Sequence, residues 1–362
     1  LKINNYMRSI SVKVIKLAAA FIFVCSLSCM RGNLHITSAS ASTVSGIHIA
    51  GSDGTDAVYW RNGERFVLSK SGKYAYADAY AMAIAGSDVY IVGEDTRETR
   101  DGNLRDDAVY WRNEERFVLP KRGEEACTWG IAVNGSDVYI VGEEIPKTFG
   151  GRSNAVYWLN GRCFILPQKG KQASARSIAI NGSDVYITGT DGDIERAPVF
   201  WLNGKRFELP VERKSFLIIF ANAIAISGSD VYITGYEFNV GSVDKEENAM
   251  YWHNGELSVL PKLGRKASTS AIAIAGSDVY ITGRDLYSRS KEGAISDAVY
   301  WLNGERFALP KRGRRARAYA IAVVGPDVYI AGFDEDGPVY WRNGELVPIE
   351  GVTLPQAIAV TP

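Results

Sequence analysis

A line of sequence recurs along this chain and constrains its fold more than any other feature. It reads AIAIAGSDVYITG from Ala271 and contains two segments, AIAI and VYI-x-G, joined by a GSD turn; two more segments follow in fixed order, AVYW and, after an NG turn, RF-x-LP. Self-similarity at a period of about 20–50 residues indicates a solenoid or a propeller. Further copies of the line, some of them looser, begin at Ala81, Gly130, Ser177, Ala223 and Ala320.

The four segments of each unit are predicted to be β-strands. They are short, rich in β-branched and aromatic residues, and bounded by turn residues. Asn-Gly between two such segments is a strong hairpin signal, because both central positions of that tight turn need positive φ. Four strands in a unit of about 45 residues are typical of a propeller blade. The third segment carries a Trp in seven copies spaced 40 to 51 residues apart, at Trp60, Trp111, Trp158, Trp201, Trp252, Trp301 and Trp341.

The two ends of the repeat region predict closure into a ring. The chain enters the repeat at a second strand, IHI at Ile47–Ile49, and its last Ala-rich strand, AIAV from Ala357, is followed only by Thr-Pro. Pairing of these ends completes a seventh sheet and leaves no open edge, whereas an open solenoid would leave a half-unit at each end. We therefore predict an all-β fold: a seven-bladed β-propeller over residues 45–362, with the Ala-rich strands innermost and the Trp side chains between blades.

The residues before the repeat have the features of an export signal. Lys13 and Lys16 precede an apolar run of 14 residues, Leu17–Met30. That run is too short for a comfortable membrane-spanning helix and suits a signal peptide. We expect an export segment over 1–30 and a linker over 31–44.

Processing of that segment has three alternatives. Cys29 follows Ser-Leu-Ser and is a candidate for lipidation, Ala39–Ala41 is a candidate site of simple cleavage, and the segment could stay as an uncleaved anchor. Each alternative exports the protein, so we expect it in a bacterial cell envelope, in the periplasm or in the medium.

The VYW-x-NG and GSDVYI-x-G lines resemble those of bacterial exported β-propeller repeat proteins over Ser45–Pro362. The resemblance implies architecture and not activity, because propellers serve as enzymes, scaffolds and lectins alike. The G-H and W-D pairs of WD40 repeats are absent, and the Gly-Gly pair of kelch repeats does not recur with the units (it occurs at Gly150–Gly151), so the partners of those families are not implied.

Composition and motifs narrow the partner classes. The 41 basic residues balance 41 acidic ones, so no net field favours nucleic acid, and contact with a membrane is expected only through a lipid anchor. The three His residues form no ligand cluster, and no metal or other cofactor is expected. No G-x-S-x-G, H-E-x-x-H, P-loop or Rossmann motif occurs. We expect a monomeric binding or scaffolding module without catalytic residues; carbohydrate cleavage by paired carboxylates is the alternative.

An acid stands two residues after the Gly of VYI-x-G in every unit. Sevenfold neighbours at that radius would stand on the order of 10 Å apart given a strand spacing of about 4.8 Å, too far to share a cation. We expect these acids to cap loop amides and to pair with basic residues of the crossings between blades. The densest basic run, Lys311–Arg317, is also a candidate anion site. The acids are Asp53, Asp95, Glu144, Asp191, Glu237, Asp285 and Asp334.

The most informative position is one that does not repeat, at the expected mouth of the central channel. Its residues are Tyr80, Trp129, Arg176, Asn222, Ser270, Tyr319 and Gln356. Two residues earlier stand Asp78, Cys127, Ser174, Phe220, Ser268, Arg317 and Leu354. Aromatic, amide and guanidinium groups together suit a polar ligand with an apolar face, such as a sugar or a peptide. The alternative is that a solvent-facing position tolerates any residue. We predict that this mouth binds a protein or a glycan.

Two expectations concern loops and thiols. Cys127 and Cys163 are predicted to be free, because the repeat register sets them on opposite faces and a disulfide needs Cα atoms within about 7 Å. The connection after the second strand is short in the first and last units, at Ser52–Asp56 and Phe333–Gly337. Long loops are expected at Glu94–Asp107, Glu143–Asn154, Tyr236–Asn248 and Arg284–Asp297.

Overall fold

Seven antiparallel sheets make up the structure. The computed structural model describes residues 46–72, 76–98, 104–145, 151–193, 196–212, 217–239, 246–290 and 293–361. Within these ranges, 28 strands form seven four-stranded sheets, and the innermost strands contact one another around a closed ring. The prediction of a seven-bladed β-propeller is confirmed. No helix able to cross a membrane occurs in these ranges. The export segment, the linker and Cys29 lie outside the described residues.

Each blade is one sheet. Blade 1 contains β1 (Gly46–Ser52), β2 (Ala57–Arg61) and β3 (Glu64–Val67) and is completed by β28 (Leu354–Thr361). Blade 2 contains β4 (Tyr76–Ala85), β5 (Asp88–Glu98), β6 (Leu104–Arg112) and β7 (Glu115–Val118). Blade 3 contains β8 (Glu125–Asn134), β9 (Asp137–Ile145), β10 (Asn154–Leu159) and β11 (Arg162–Ile165). Blade 4 contains β12 (Gln172–Asn181), β13 (Asp184–Gly192), β14 (Arg196–Leu202) and β15 (Lys205–Glu208). Blade 5 contains β16 (Leu217–Ser227), β17 (Asp230–Asn239), β18 (Ala249–His253) and β19 (Glu256–Val259). Blade 6 contains β20 (Lys266–Ala275), β21 (Asp278–Ser290), β22 (Gly293–Leu302) and β23 (Glu305–Ala308). Blade 7 contains β24 (Ala316–Val324), β25 (Asp327–Asp334), β26 (Gly337–Arg342) and β27 (Glu345–Pro348).

Strand β28 closes the ring as predicted. It lies antiparallel to β1, with Thr361 opposite Gly46 and Leu354 opposite Ser52. Its Ala357 packs in the core between blades 1 and 2, and its Ile358 packs in the core between blades 7 and 1. The last strand of the chain therefore joins the first blade to both of its neighbours.

The two recurring turn motifs are bonded to each other. In blade 2, Asn113 has a φ of 49°, its side-chain Oδ1 accepts a hydrogen bond from the Val89 amide, and its Nδ2 donates to Asp88. The NG Asn and the GSD Asp repeat this contact in blades 3 to 7. Blade 1 has Gly46 in place of this Asp, and Asn62 there accepts a hydrogen bond from the Ile47 amide.

The Trp side chains fill the spaces between blades. Trp158 is completely buried, and its indole N–H donates to the carbonyl of Pro120 in the crossing from the preceding blade at 2.8 Å. Five other Trp side chains repeat this burial and this bond, while Trp60 in blade 1 is partly exposed. The Trp residues therefore serve as inter-blade core, most completely away from the closure seam.

Two of the expected long loops are strands. In blade 2 the β5–β6 ladder continues to the pair Glu98–Leu104, and in blade 6 the β21–β22 ladder continues to the pair Ser290–Gly293. The expectation of loops there was wrong because these segments are polar and lack the alternation that marks a half-buried strand. The connections of blades 1 and 7 are short, as expected, and Cys127 and Cys163 are free.

Candidate functional site

Every innermost strand has a β-bulge at the same position. In blade 2, Ala79 pairs with Gly93 and Ala81 pairs with Val92, so Tyr80 has no partner in the ladder. A bulge of this kind takes one residue out of the ladder and re-aims its side chain. The bulged residues, here called the bulge ring, are Tyr80, Trp129, Arg176, Asn222, Ser270, Tyr319 and Gln356. They are the same seven residues that were predicted from the sequence to differ between repeats at the mouth of the central channel.

The bulge explains the Gly of VYI-x-G. A Cβ on Gly93 would lie 1.8 Å from the carbonyl oxygen of Asp78, and the equivalent distance is 1.8 to 2.1 Å in all seven blades. Real Cβ atoms do not approach an oxygen this closely, so the second strand has no room for a side chain opposite the bulge. The repeated Gly and the non-repeating residue are therefore two parts of one structural feature.

A third row of side chains lies beside the two rings found in the sequence. The residues two positions before the bulge, here called the outer ring, pair one by one with the residues that follow the repeated Gly. Opposite residues of an antiparallel pair lie on the same face. This second-strand row is Ser52, Glu94, Glu143, Thr190, Tyr236, Arg284 and Phe333. Sequence analysis missed it, although its variation between a repeated Gly and a repeated acid was a usable signal.

The bulge residues lie in the middle of their strands and not at the strand ends. Tyr80 is the fifth residue of β4, and Trp129 is the fifth residue of β8, because the innermost strands begin earlier than the AIAI segment. Both side chains are half-buried. The bulge residues therefore lie within the strands and not at a rim formed by the strand ends.

Blades 2 and 3 form an acidic half of this mouth. The Tyr80 and Trp129 rings stack with centroids 5.2 Å apart, and the Tyr80 hydroxyl donates a hydrogen bond to Glu94. Burial raises the pKa of Glu94, and the nearby charges of Asp106 and Asp78 raise it further. Burial also raises the pKa of the Cys127 thiol, which lies beside Glu94.

Blades 4 to 7 form an arginine half. The Arg176 guanidinium lies 4.3 Å from the centroid of Trp129, and that of Arg317 lies 4.8 Å from the centroid of Tyr319. Burial raises the pKa of Tyr236, while the positive charges of Arg317, Arg176 and Arg284 lower it. All three guanidinium groups are therefore close to the Tyr236 ring.

The remaining bulge residues are polar, and the structure treats them differently. Asn222 donates to the Thr269 carbonyl of the next blade at 3.1 Å, so its amide is partly used in joining blades. The Ser270 hydroxyl is buried and has no partner among the described residues. Gln356 is half-buried in the closing strand. The structure therefore brings Tyr80, Trp129 and Arg176 into direct contact and places the others further around the ring.

Buried polar atoms without hydrogen-bond partners concentrate in this mouth. In the described part of the chain 13 buried side-chain nitrogen and oxygen atoms have no partner. Six of them belong to the bulge ring, the outer ring or the second-strand row: Trp129 Nε1, Ser174 Oγ, Arg176 Nε, Thr190 Oγ1, Ser270 Oγ and Arg317 Nε. An unpaired buried polar atom is unfavourable by about 1–3 kcal/mol, so such a cluster marks a place where a ligand or water supplies the partners.

The repeated acids cap amides, as predicted. Asp95 accepts a hydrogen bond from the Ser71 amide at 2.8 Å, and Asp191 accepts from the Lys169 and Gly170 amides. The expectation that their ion-pair partners would be bases of the crossings was mostly wrong. The guanidinium groups come instead from the second residue after the tight turn between the third and fourth strands, whose side chain is long enough to reach back across the sheet: Arg65, Arg116, Arg206 and Arg306.

The basic run Lys311–Arg317 is largely neutralised inside the protein. Lys311 pairs with Asp297 at 2.9 Å, and Arg312 makes two bonds of 2.8 Å to Asp334. Arg315 lies 3.7 Å from Glu335. Lys311, Arg312 and Arg315 are thus paired with acids, whereas Arg317, the last residue of the run, contributes its side chain to the mouth.

Comparisons with known proteins give no family. No protein-family model matches the chain, and no curated protein matches it. A puromycin-hydrolyzing peptidase of Mycobacterium tuberculosis shows 12% identity and a TM-score of 0.49 over 88% of this chain, which spans 56% of that enzyme.

Two archaeal structures are also similar. The β-propeller domain of the trilobed protease of Pyrococcus furiosus shows 12% identity and a TM-score of 0.48, covering 85% of this chain and 94% of the domain. The acylaminoacyl peptidase of Pyrococcus horikoshii shows 14% identity and a TM-score of 0.43, over 75% of this chain and 45% of the enzyme. At these identities the likeness concerns the fold alone. Fold and site define a seven-bladed propeller with an asymmetric, polar mouth.

Proposed function

We propose that this protein is a non-catalytic binding module of the cell envelope that holds part of a protein or a glycan in the mouth of its propeller. The cluster of six unpartnered buried polar atoms carries this proposal, because a bound ligand can supply the missing partners. The concentration of sequence variation on a bulge of an otherwise repeating scaffold supports it. Bulges often occur beside functional sites, where they re-aim a side chain.

The chemistry of the mouth suits a polar ligand with an apolar face. The stacked rings of Tyr80 and Trp129 offer an aromatic surface, Arg176 offers hydrogen bonds along its edge, and Asn222 and Ser270 offer polar groups further around the ring. Few polar groups among aromatic walls are typical of ligand sites in proteins. Export to the envelope is part of the proposal and rests on the basic and apolar segment before residue 31.

The test compares mouth and core variants against arrays of glycans and peptides. We expect the double variant Trp129→Ala/Tyr319→Ala to lose at least about tenfold in affinity for any probe that binds the wild type, with a thermal melt close to that of the wild type. The control is Trp158→Ala, which removes core and should lower the melt, while the binding of the folded fraction stays.

Equal binding by the mouth variant and the wild type would move the site. The long hairpins of blades 2 and 6, which carry β5–β6 and β21–β22, would then be the next surface to test. Such a result would favour a flat protein interface in place of the mouth and would contradict the proposal as stated.

A second candidate function is cleavage of a carbohydrate. Glu94 is half-buried, and its raised pKa is the property of a general acid. Glu143 lies in the equivalent position of the neighbouring blade and could be the second carboxylate. This candidate requires turnover of oligosaccharides that Glu94→Gln abolishes; binding of the same sugars without products would reject it.

A further inference from the structure

Two arginines in the mouth are held against aromatic rings. The guanidinium of Arg176 stacks on Trp129, and that of Arg317 stacks on Tyr319. Stacking occupies the flat face of the group, while its N–H donors point outward in the plane. Such a fork matches the two oxygens of a carboxylate. Both arginines are thus positioned for an oxyanion without the freedom that a long side chain normally loses on binding.

Their charges are poorly compensated by the protein. The closest acid to Arg176 is Glu143, with 4.0 Å between Nη2 and Oε1. Arg317 makes no ion pair with any residue of the described ranges, and the Nε atoms of both arginines are buried without a partner. A partly buried cation without a counter-ion is unfavourable, so this half of the mouth is complementary to an anion.

Two hydroxyl groups of blade 4, the blade that carries Arg176, also lack partners. Ser174 and Thr190 face each other in the register of blade 4, and Ser174 lies two residues before Arg176 on the same face of β12. Their side chains are 1% and 0% exposed, and neither hydroxyl oxygen has a hydrogen-bond partner in the described structure. Buried hydroxyls of this kind can donate to further oxygens of a bound oxyanion.

The acidic half of the mouth has the opposite character. Asp78, Glu94 and Glu143 lie on blades 2 and 3, with Asp106 close to Glu94. The two halves meet where Arg176 approaches Glu143. A ligand that fits both halves carries a negative and a positive group a short distance apart, with an apolar part for the aromatic wall of Tyr80 and Trp129.

We propose that the mouth binds a zwitterionic peptide segment: its free C-terminal carboxylate lies on Arg176 and Arg317 with the Ser174 and Thr190 hydroxyls, and an ammonium group lies toward Asp78 and Glu143. This inference rests on the proposed function and names its ligand class. An acidic glycan fits less well, because its repeated carboxylates would also meet the acidic half, where like charges repel.

The experiment uses degenerate tetrapeptide libraries and the purified protein. One library has free termini, one is amidated at the C-terminus, and one is acetylated at the N-terminus; bound peptides are quantified by mass spectrometry. We expect the free library to bind at least about tenfold better than the amidated one, and better than the acetylated one. In Arg176→Gln/Arg317→Gln the preference for a free carboxylate should disappear.

A matched control separates charge at the mouth from charge in general. Arg342 also stacks on a Tyr ring and pairs with an acid, but it lies beside the GSD turn, away from the bulges. Arg342→Gln should keep the full preference for free carboxylates. Thermal melts of all variants, together with binding of the free library to Asp78→Asn/Glu143→Gln, show that the proteins are folded and test the acidic half separately.

Three results would overturn the inference. Equal binding of free and amidated peptides would show that the C-terminal carboxylate is not recognised. The proposed function would still stand if Trp129→Ala/Tyr319→Ala lost that binding. Binding of oligogalacturonate in place of peptides would show that the ligand class is an acidic glycan. Absence of binding by both probes at millimolar concentration would reject the peptide ligand, and the glycan array would then decide the proposed function.

Discussion

At the scale of single residues, repetition and variation mark two different tasks. The Trp side chains repeat because each fills the same space between two blades and donates to the same carbonyl of a crossing. The bulge residues vary because their side chains leave the ladder and meet whatever occupies the mouth. A position that varies on a repeating scaffold therefore points to a functional site only when the structure fixes the neighbouring positions. Gly93, which lies beside the bulge at Tyr80, is such a fixed neighbour.

One prediction at this scale compares two Trp residues that the sequence does not distinguish. Trp158→Ala removes a completely buried side chain and its bond to Pro120, so we expect a loss of about 3–5 kcal/mol in the free energy of unfolding. Trp60 lies at the closure seam and is partly exposed, so Trp60→Ala should lose less. Denaturant unfolding of both variants measures the difference; equal losses would contradict this account of the seam.

A second prediction concerns the pH dependence that Glu94 imposes. In the unfolded chain Glu94 ionises near its ordinary pKa of 4.5, whereas burial raises the pKa in the folded protein. Below pH 4.5 both states are protonated and Glu94 contributes nothing to pH dependence. As the pH rises above that value, ionisation stabilises the unfolded state alone, so the folded protein loses stability until the raised pKa is passed.

Glu94→Gln tests this sign. We expect the stability of the variant relative to the wild type to increase as the pH rises above 4.5, measured by urea unfolding at several pH values. Tyr80→Phe removes the hydroxyl that donates to the carboxylate, so it should raise the pKa further and extend the loss to higher pH. Parallel stability profiles for the wild type and Glu94→Gln would show that Glu94 is not desolvated.

At the scale of elements, the fold was predictable where one residue type answers one geometric need. Asn at the NG turn adopts a φ near 50°, as a two-residue hairpin requires, and the β-branched runs on either side form strands. The bulge was not predictable from one strand, because a register shift is a property of two strands. The extended hairpins of blades 2 and 6 escaped for another reason: both of their faces are polar, and periodicity then carries no signal.

The same reasoning applies to the candidate site. The two rings could be found by alignment of the repeats, because they lie on strands that repeat closely. Glu94 and Arg284 were missed, since they were assigned to variable loops when they in fact pair with the outer ring. The contacts among Tyr80, Trp129 and Arg176 needed the structure, because they join three blades that are far apart in sequence.

The bulge gives a prediction at the element scale. Gly142→Ala would place a Cβ 2.0 Å from the carbonyl oxygen of Cys127, so the bulge of blade 3 must move or flatten. We expect a loss of at least about 1–3 kcal/mol in stability and displaced chemical shifts around Trp129. Gly130→Ala is the matched control in the same blade: its nearest contacts are 3.1 to 3.3 Å, and most other blades have Ala there. Equal melts of the two variants would contradict the role assigned to Gly142.

At the scale of the whole molecule, a nearly sevenfold scaffold carries an asymmetric mouth. The scaffold bonds recur blade after blade, from the Trp to the crossing and from the NG turn to the GSD turn. Acids collect on blades 2 and 3, and arginines collect on blades 4, 6 and 7. Blade 1 lies between the two halves and differs from the others in its exposed Trp, its missing turn Asp and its split origin. The blade at which the ring closes therefore also separates the acidic half of the mouth from the arginine half.

The last prediction concerns closure. Deletion of Leu354–Pro362 removes β28, exposes the edge of β1 and takes Ala357 and Ile358 out of two inter-blade cores. We expect the melting temperature to fall by about 10 °C or more, since several kcal/mol of packing and pairing are lost together. A circular permutant is the control. Because Thr361 lies opposite Gly46 as Ala85 lies opposite Asp88, a Gly-Ser turn can join the two ends, with new termini in the crossing before β28. The permutant should regain the wild-type melt, and an unchanged melt of the truncated chain would show that the ring does not depend on β28.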